Sequence, residues 1–198
     1  MTDINPLSTL DKDLVREFVI AGHGNLARVR EMLADEPALL NTANEWQPGD
    51  AETAVQAAAH VGNRDIAEYL LAQGAPLELC TAAMLGQRDE IERALAADPD
   101  AIHARGAHGI PLLSHAAFSG DAALVASLYE RGATDGQTMA LSNAVSAGRK
   151  AVAAWLLENA DPDLAATNYQ GKTALDIAVE SGYDEIAALL RAYGAETA

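Results

Sequence analysis

Six glycines recur along this chain in one register: Gly24, Gly62, Gly86, Gly120, Gly148 and Gly182. Their spacings are 38, 24, 34, 28 and 34 residues, and the length of 198 divides into six units of 33. The flanks carry the signal. Four residues before each glycine stand Ile20, Ala58, Ala82, Ala116, Ala144 and Ala178. Three before stand Ala21, Ala59, Ala83, Ala117, Val145 and Val179, and eight after stand Met32, Leu70, Ala94, Leu128, Leu156 and Leu190. All are apolar, and alanine dominates the first two columns. A repeat of this period restricts the chain to architectures in which each unit packs on its neighbours.

Small residues before the glycine let one short helix lie close to the next. The glycine permits φ > 0, which ends that helix and turns the chain. A second helix follows with apolar residues at helical spacing, as in Ile66, Leu70 and Leu71 or Ile186, Leu189 and Leu190. Asp65, Asp89, Asp121 and Asp184 stand at its start, where the positive helix end favours acids. Gly74-Ala75, Gly132-Ala133 and Gly194-Ala195 punctuate its end; in the fifth unit Asn159 is expected in the glycine's place, because Asn also tolerates the left-handed conformation. A helix pair of this size cannot bury its own apolar face, so stacked pairs bury it together as a solenoid.

Thr53-Ala-Val-Gln-Ala-Ala-Ala-His-Val-Gly62 and Gly171-Lys-Thr-Ala-Leu-Asp-Ile-Ala-Val-Glu-Ser-Gly182 resemble the ankyrin T-P-L-H-x-A-A-x-x-G consensus. Ile66-Ala-Glu-Tyr-Leu-Leu-Ala-Gln-Gly-Ala75 resembles its second helix and turn. The resemblance spans roughly residues 10 to 195, although no repeat keeps the full T-P-L-H and Ile110-Pro-Leu-Leu-Ser-His-Ala-Ala is one residue too long. It implies an all-α ankyrin-repeat solenoid of about six helix-turn-helix repeats with finger loops. The expected repeats run 10–41, 50–76, 77–102, 108–134, 137–163 and 168–195, in a single domain over 1–198. Ser8-Thr-Leu-Asp11 is expected to form a capping box opening the first helix. Arg191, where four other repeats carry leucine, is expected to give the last repeat a polar face.

The alternating spacings predict three long fingers, at 41–52, 103–110 and 165–172, separated by the short junctions Ala75-Pro-Leu-Glu-Leu and Ala133-Thr-Asp-Gly-Gln. Trp46 and Tyr169 are expected at finger tips, where exposed aromatics serve as binding anchors. The alternative for Trp46 is that it folds back onto the first repeat. The positions two and one before each glycine end the first helix, and in ankyrin repeats they face the concave groove. Here they include His60-Val61, Met84-Leu85 and Phe118-Ser119, an apolar stripe that is either a partner anchor or half buried by neighbouring helices. The candidate protein-binding residues are therefore Glu45, Trp46, His60, Val61, Met84, Leu85, Arg105, His108, Phe118, Ser119, Tyr169 and Gln170.

Other motifs point away from catalysis. Gly22-His-Gly-Asn-Leu-Ala27 matches a dinucleotide-binding fingerprint, but no β-branched second strand follows, and Gly24 sits in register with the helix-ending glycines. His103, His108 and His115 lie within thirteen residues, yet two fall in a finger and one in the following helix. Cys80 stands alone with no base placed beside it, and reads as a small buried residue. No nucleophile elbow or phosphate-binding loop is present. No catalytic residue, cofactor or metal is assigned.

With 13 Lys+Arg against 29 Asp+Glu the formal charge is −16. That argues against nucleic acid and acidic membrane surfaces, and leaves basic partners or simple solubility. One Cys excludes an intrachain disulfide and fits a reducing compartment. The first eight residues show neither a basic nor an apolar signal region. The expected function is non-enzymatic protein binding through the concave face and fingers, by a cytoplasmic monomer. The alternatives are an acidic inhibitor or antidote of a basic protein, and a small metal- or ligand-dependent enzyme.

Overall fold

The computed structural model describes residues 10–198. Its contacts divide the chain after Leu77 into two compact units. The first holds α1 (Lys12–Gly22), α2 (Leu26–Asp35), the strands β1 (Ala43–Gln47) and β2 (Asp50–Thr53), α3 (Ala54–His60) and α4 (Arg64–Ala72). The second holds α5 (Leu79–Leu85), α6 (Arg88–Ala97), α7 (Leu112–Ala116), α8 (Ala122–Glu130), α9 (Gln137–Ser146), α10 (Lys150–Asn159), α11 (Ala174–Glu180) and α12 (Asp184–Ala192). Each of the six expected repeats contains one antiparallel pair of these helices.

In the first unit α1 packs on α3 and α2 on α4, around Phe18, Val29, Leu39, Val55, Ile66 and Leu70. The α1–α3 approach is close because Gly22 has no side chain: a Cβ there would stand 2.7 Å from the Ala54 carbonyl oxygen. In the second unit the first helices form the row α5–α7–α9–α11, and the second helices form the row α8–α10–α12. The alanine columns lie in the core. Of the twelve positions three and four before the register glycines, only Ile20 and Val179 are exposed. They belong to the first and last pairs, beyond which no further pair covers them among the described residues.

Five register glycines adopt left-handed backbone, with φ from 67° at Gly148 to 81° at Gly120. Four of these turns are closed by a bond to the alanine carbonyl of the first column: Asn63 N–H to Ala58 O, Gln87 to Ala82, Arg149 to Ala144 and Tyr183 to Ala178. This bond spans five residues and satisfies a carbonyl that the helix leaves open. Gly24 differs. Its φ is not positive, and Asn25 N–H bonds Ala21 O instead.

Helix starts are fixed by side chains. Thr53 with Gln56, and Thr173 with Asp176, form capping boxes opening α3 and α11. Asn25, Asn63 and Asp121 cap the second helices α2, α4 and α8. Two expectations about helix ends change. The residues Ser8 and Thr9 lie outside the described residues, and α1 is capped by Asp11 itself, whose carboxylate accepts from the N–H groups of Asp13 and Leu14. A helix opened by Asp11 cannot hold it at the third position of a box. Asn159 is not left-handed either. It stays the last residue of α10, donating to Trp155 O, while Ala160 turns extended toward Asp161-Pro162. Asp161, the residue before Pro162, favours extended backbone, so the chain runs on from the extended Ala160 without a left-handed turn.

Candidate functional site

The three long connections stand out from the helices, each by a different device. The first is an antiparallel hairpin of β1 and β2 turned at Pro48-Gly49. Its register slips between Glu45 and Gln47, so Trp46 sits at a bulge. Bulges re-aim side chains. The indole is half buried; its Nε1–H donates 2.8 Å to Glu52 Oε2, and the Arg16 guanidinium of α1 lies 6.0 Å from the ring centre. Trp46 therefore folds back toward the first repeat instead of crowning the finger. Glu45 remains exposed, its carboxylate accepting from Gly49 N–H at 3.1 Å.

The second finger is closed by a single bridge between Arg105 and Pro111. Arg105 stitches it internally, donating to Gly109 O at 2.9 Å and to Asp135 Oδ2 at 2.6 Å. His108 occupies its exposed tip with φ 58°, in the left-handed region that a side chain seldom adopts. The third finger turns at Asn168, whose carboxamide oxygen accepts from the N–H groups of Gln170 and Lys172. That turn lifts Tyr169 to 94% exposure, with Gln170 exposed beside it.

The helix-end stripe behaves differently. Met84 is 1%, Leu85 6% and Phe118 7% exposed. The end of α5 packs on the turn 117–119, and α9 packs on that same turn. Helix ends of successive pairs meet there, so the apolar stripe is core and offers no side chain to a partner. Val61 alone of these apolar residues is exposed, and Ser119 is half buried, with its hydroxyl donating to Ala116 O at 2.6 Å.

His60 belongs to an arrangement that the sequence reading did not find. Its Nε2 lies 2.8 Å from Glu52 Oε1 and 3.1 Å from His23 Nε2. His23 Nε2 is 3.7 Å from Glu52 Oε2. The Glu52 carboxylate is completely buried, on β2 between the C-terminal ends of α1 and α3. Burial pushes the Glu52 carboxyl up, but the His60 hydrogen bond and charge, with Trp46 and His23, outweigh it and hold it below the usual carboxylate value. A signal for this group existed: His23 and His60 are helix-end residues of adjacent repeats, one and two before their glycines.

The other candidates for chemistry separate. Among the described residues, His23, Glu52 and His60 are the only trio of histidine, cysteine or carboxylate groups that converge. His103, His108 and His115 do not come together; His115 is buried in α7, its Nδ1 3.1 Å from Pro111 O, whereas His103 is exposed. Cys80 is buried, and burial, with the Glu78 charge adding, pushes its thiol up to about 12. Residues 17–21 lie within α1, so no strand precedes the glycine-rich turn and the dinucleotide reading falls.

The repeat geometry has its counterpart among known families. The family described as ankyrin repeats, in three copies, matches residues 113–198, and a single ankyrin repeat matches residues 50–82. Together these matches cover more than half of the chain. It belongs to the ankyrin-repeat family. No curated protein matches this ankyrin-repeat chain. Ankyrin repeats are generally protein–protein interaction modules. Among the described residues no helix of this ankyrin-repeat protein is long and apolar enough to cross a membrane.

Proposed function

We propose that this ankyrin-repeat chain is a non-enzymatic protein-binding module whose contact surface is built from finger tips, with Tyr169 as its aromatic anchor. The observation that carries the reading is the 94% exposure of Tyr169 on a turn pinned by Asn168. Tyrosine is among the residues enriched at binding hot spots, and its ring here is open to a partner. Gln170 is exposed beside it, and Arg105 and His108 are exposed polar groups on the second finger of the same unit. Met84, Leu85 and Phe118 contribute by holding the helix ends, not by touching the partner.

The charge of −16 favours a basic partner, because opposite fields speed encounter and suppress wrong partners. An acidic inhibitor or antidote of a basic protein is the narrower form of this reading. The test is parallel affinity enrichment with wild-type and Tyr169→Ala baits at low and high salt. A protein retained by the wild type, lost with Tyr169→Ala and weakened by salt supports both parts. A protein retained equally by both baits moves the contact surface elsewhere.

A further inference from the structure

We propose that His23, Glu52 and His60 form a site for a divalent cation, and that Zn²⁺ suits its donor set best. The argument begins with tautomers. His23 Nδ1 lies 3.1 Å from Val19 O and 3.3 Å from Ile20 O. A carbonyl can only accept, so Nδ1 carries the proton. In the neutral ring the Nε2 lone pair then faces Glu52 and His60. Metal-ligating histidines are held in this way, with the second nitrogen donating to a backbone carbonyl.

The spacing fits. Ligands at about 2.0–2.1 Å from a tetrahedral ion stand about 3.3 Å apart. The two Nε2 atoms stand 3.1 Å apart, and each faces its own carboxylate oxygen, His60 at 2.8 Å from Oε1 and His23 at 3.7 Å from Oε2, distances that bracket that value. With one ligand atom taken from each residue, the three lie within 4.8 Å of one another. The carboxylate is oriented from behind by the Trp46 indole N–H, a partner of the kind that positions metal-bound carboxylates.

The electrostatics favour a cation. The buried Glu52 carboxylate is held by the His60 and Trp46 N–H groups, and a bound cation would take the place of the His60 proton as its partner. Two helix C-termini, the negative ends of α1 and α3, converge on the same point, since His23 caps α1 and His60 ends α3. Two imidazoles and one carboxylate suit Zn²⁺ better than the oxygen-seeking Mg²⁺ or Ca²⁺. The His23 side chain is 32% exposed, so solvent can supply the fourth ligand. The site lies within the first unit and does not rest on the protein-binding reading.

The test uses the full chain, stripped with a chelator and titrated with Zn²⁺ against a chromophoric competitor. One equivalent should bind. His23→Gln and His60→Gln should each weaken uptake about 100-fold or more, beyond the 10–100-fold typical of a lost supporting partner, which Trp46→Phe should show. His103→Gln, at an exposed histidine outside the trio, should bind as the wild type does. Where a variant fails to fold, Co²⁺ added to the wild type decides: intense visible bands of a tetrahedral complex support the site. No stoichiometric uptake, an octahedral Co²⁺ spectrum, or equal uptake by all folded variants overturns it.

Discussion

Arg88 and Asp121 stand 33 residues apart in sequence, yet the guanidinium Nε lies 2.6 Å from Asp121 Oδ2 while Nη2 contacts the other carboxylate oxygen. The pair joins the start of one second helix to the cap of the next. Glu92 with Arg131, and Lys150 with Glu185, link neighbouring pairs in the same way. Solenoid stability depends on such nearest-neighbour terms as well as on each repeat's own.

The ion pair, first, and the Leu124 N–H bond hold the Asp121 carboxyl below its ordinary value. A depressed folded-state pKa contributes stability that is present above the unfolded value of about 3.9 and lost as pH falls through the folded one. Urea unfolding should therefore show Arg88→Gln to be less stable than wild type at pH 7, by about 0.2–1 kcal/mol because both groups are partly exposed. The difference should shrink below pH 4. Asp121→Asn should resemble Arg88→Gln, since Asn keeps the cap. Asp121→Ala should cost about 1 kcal/mol more. An equal loss at pH 7 and pH 3 would show that the pair is not the cause.

Gly22 and Gly24 make opposite predictions two residues apart. A methyl group at Gly22 would meet backbone, 2.7 Å from Ala54 O and 2.9 Å from Ala54 Cα. Backbone cannot swing aside, so Gly22→Ala should destabilise by about 1–3 kcal/mol. Nothing lies within 4 Å of a Cβ at Gly24, and its φ is not positive. Gly24→Ala should be neutral or stabilise by about 0.4–1 kcal/mol through the unfolded state. Thermal melts of the two variants decide. Equal losses would mean that α1 and α3 are not in close approach.

These two glycines also show how far the sequence could be read. The repeat register found the helix pairs, because small residues at fixed offsets before a glycine answer one local demand: a tight helix crossing followed by a turn. Gly24 entered that register by its flanks, while Gly22 carries the steric constraint that the register does not record. The helix-end stripe was legible as apolar but not as buried. Met84 and Phe118 are covered by elements whose proximity depends on stacking, and one-dimensional spacing cannot tell a groove from a seam. Tyr169 was legible because a turn of polar residues surrounds it. Of the His23–Glu52–His60 group only the two histidines, at the helix ends of adjacent repeats, left a trace in the sequence; Glu52 joins them only when the hairpin folds back.

Cys80 should be inert in the folded chain. Burial, with Glu78 adding, pushes its thiol up to about 12. At pH 8 an ordinary thiol with pKa about 8.5 is about one quarter thiolate, whereas one at 12 is about one part in ten thousand. A thiol-specific disulfide reagent should react with it only at the rate of unfolding, and denaturant should accelerate the reaction to that of a free cysteine. Rapid modification without denaturant would show the thiol to be open to solvent.

Phe118 and Tyr169 provide a final contrast between two aromatics that both read as binding anchors in the sequence. Phe118 is 7% exposed, and the turn that carries it is packed by α5, α7 and α9. Its backbone carbonyl also accepts from Arg149 Nε at 3.0 Å, so the turn is tied to the following repeat. Phe118→Ala should leave a cavity and cost about 3–5 kcal/mol of stability. Coupling between repeats should spread that loss along the second unit. Tyr169 is 94% exposed, so Tyr169→Ala should change stability by no more than about 0.5 kcal/mol. Its effect belongs to binding, where removing an anchor typically costs about 2 kcal/mol or more. Chemical denaturation of both variants checks the first half, and affinity for a partner captured by the wild type checks the second. A stable Phe118→Ala chain would return the helix-end stripe to the surface. A Tyr169→Ala chain that binds undiminished would remove the third finger from the interface.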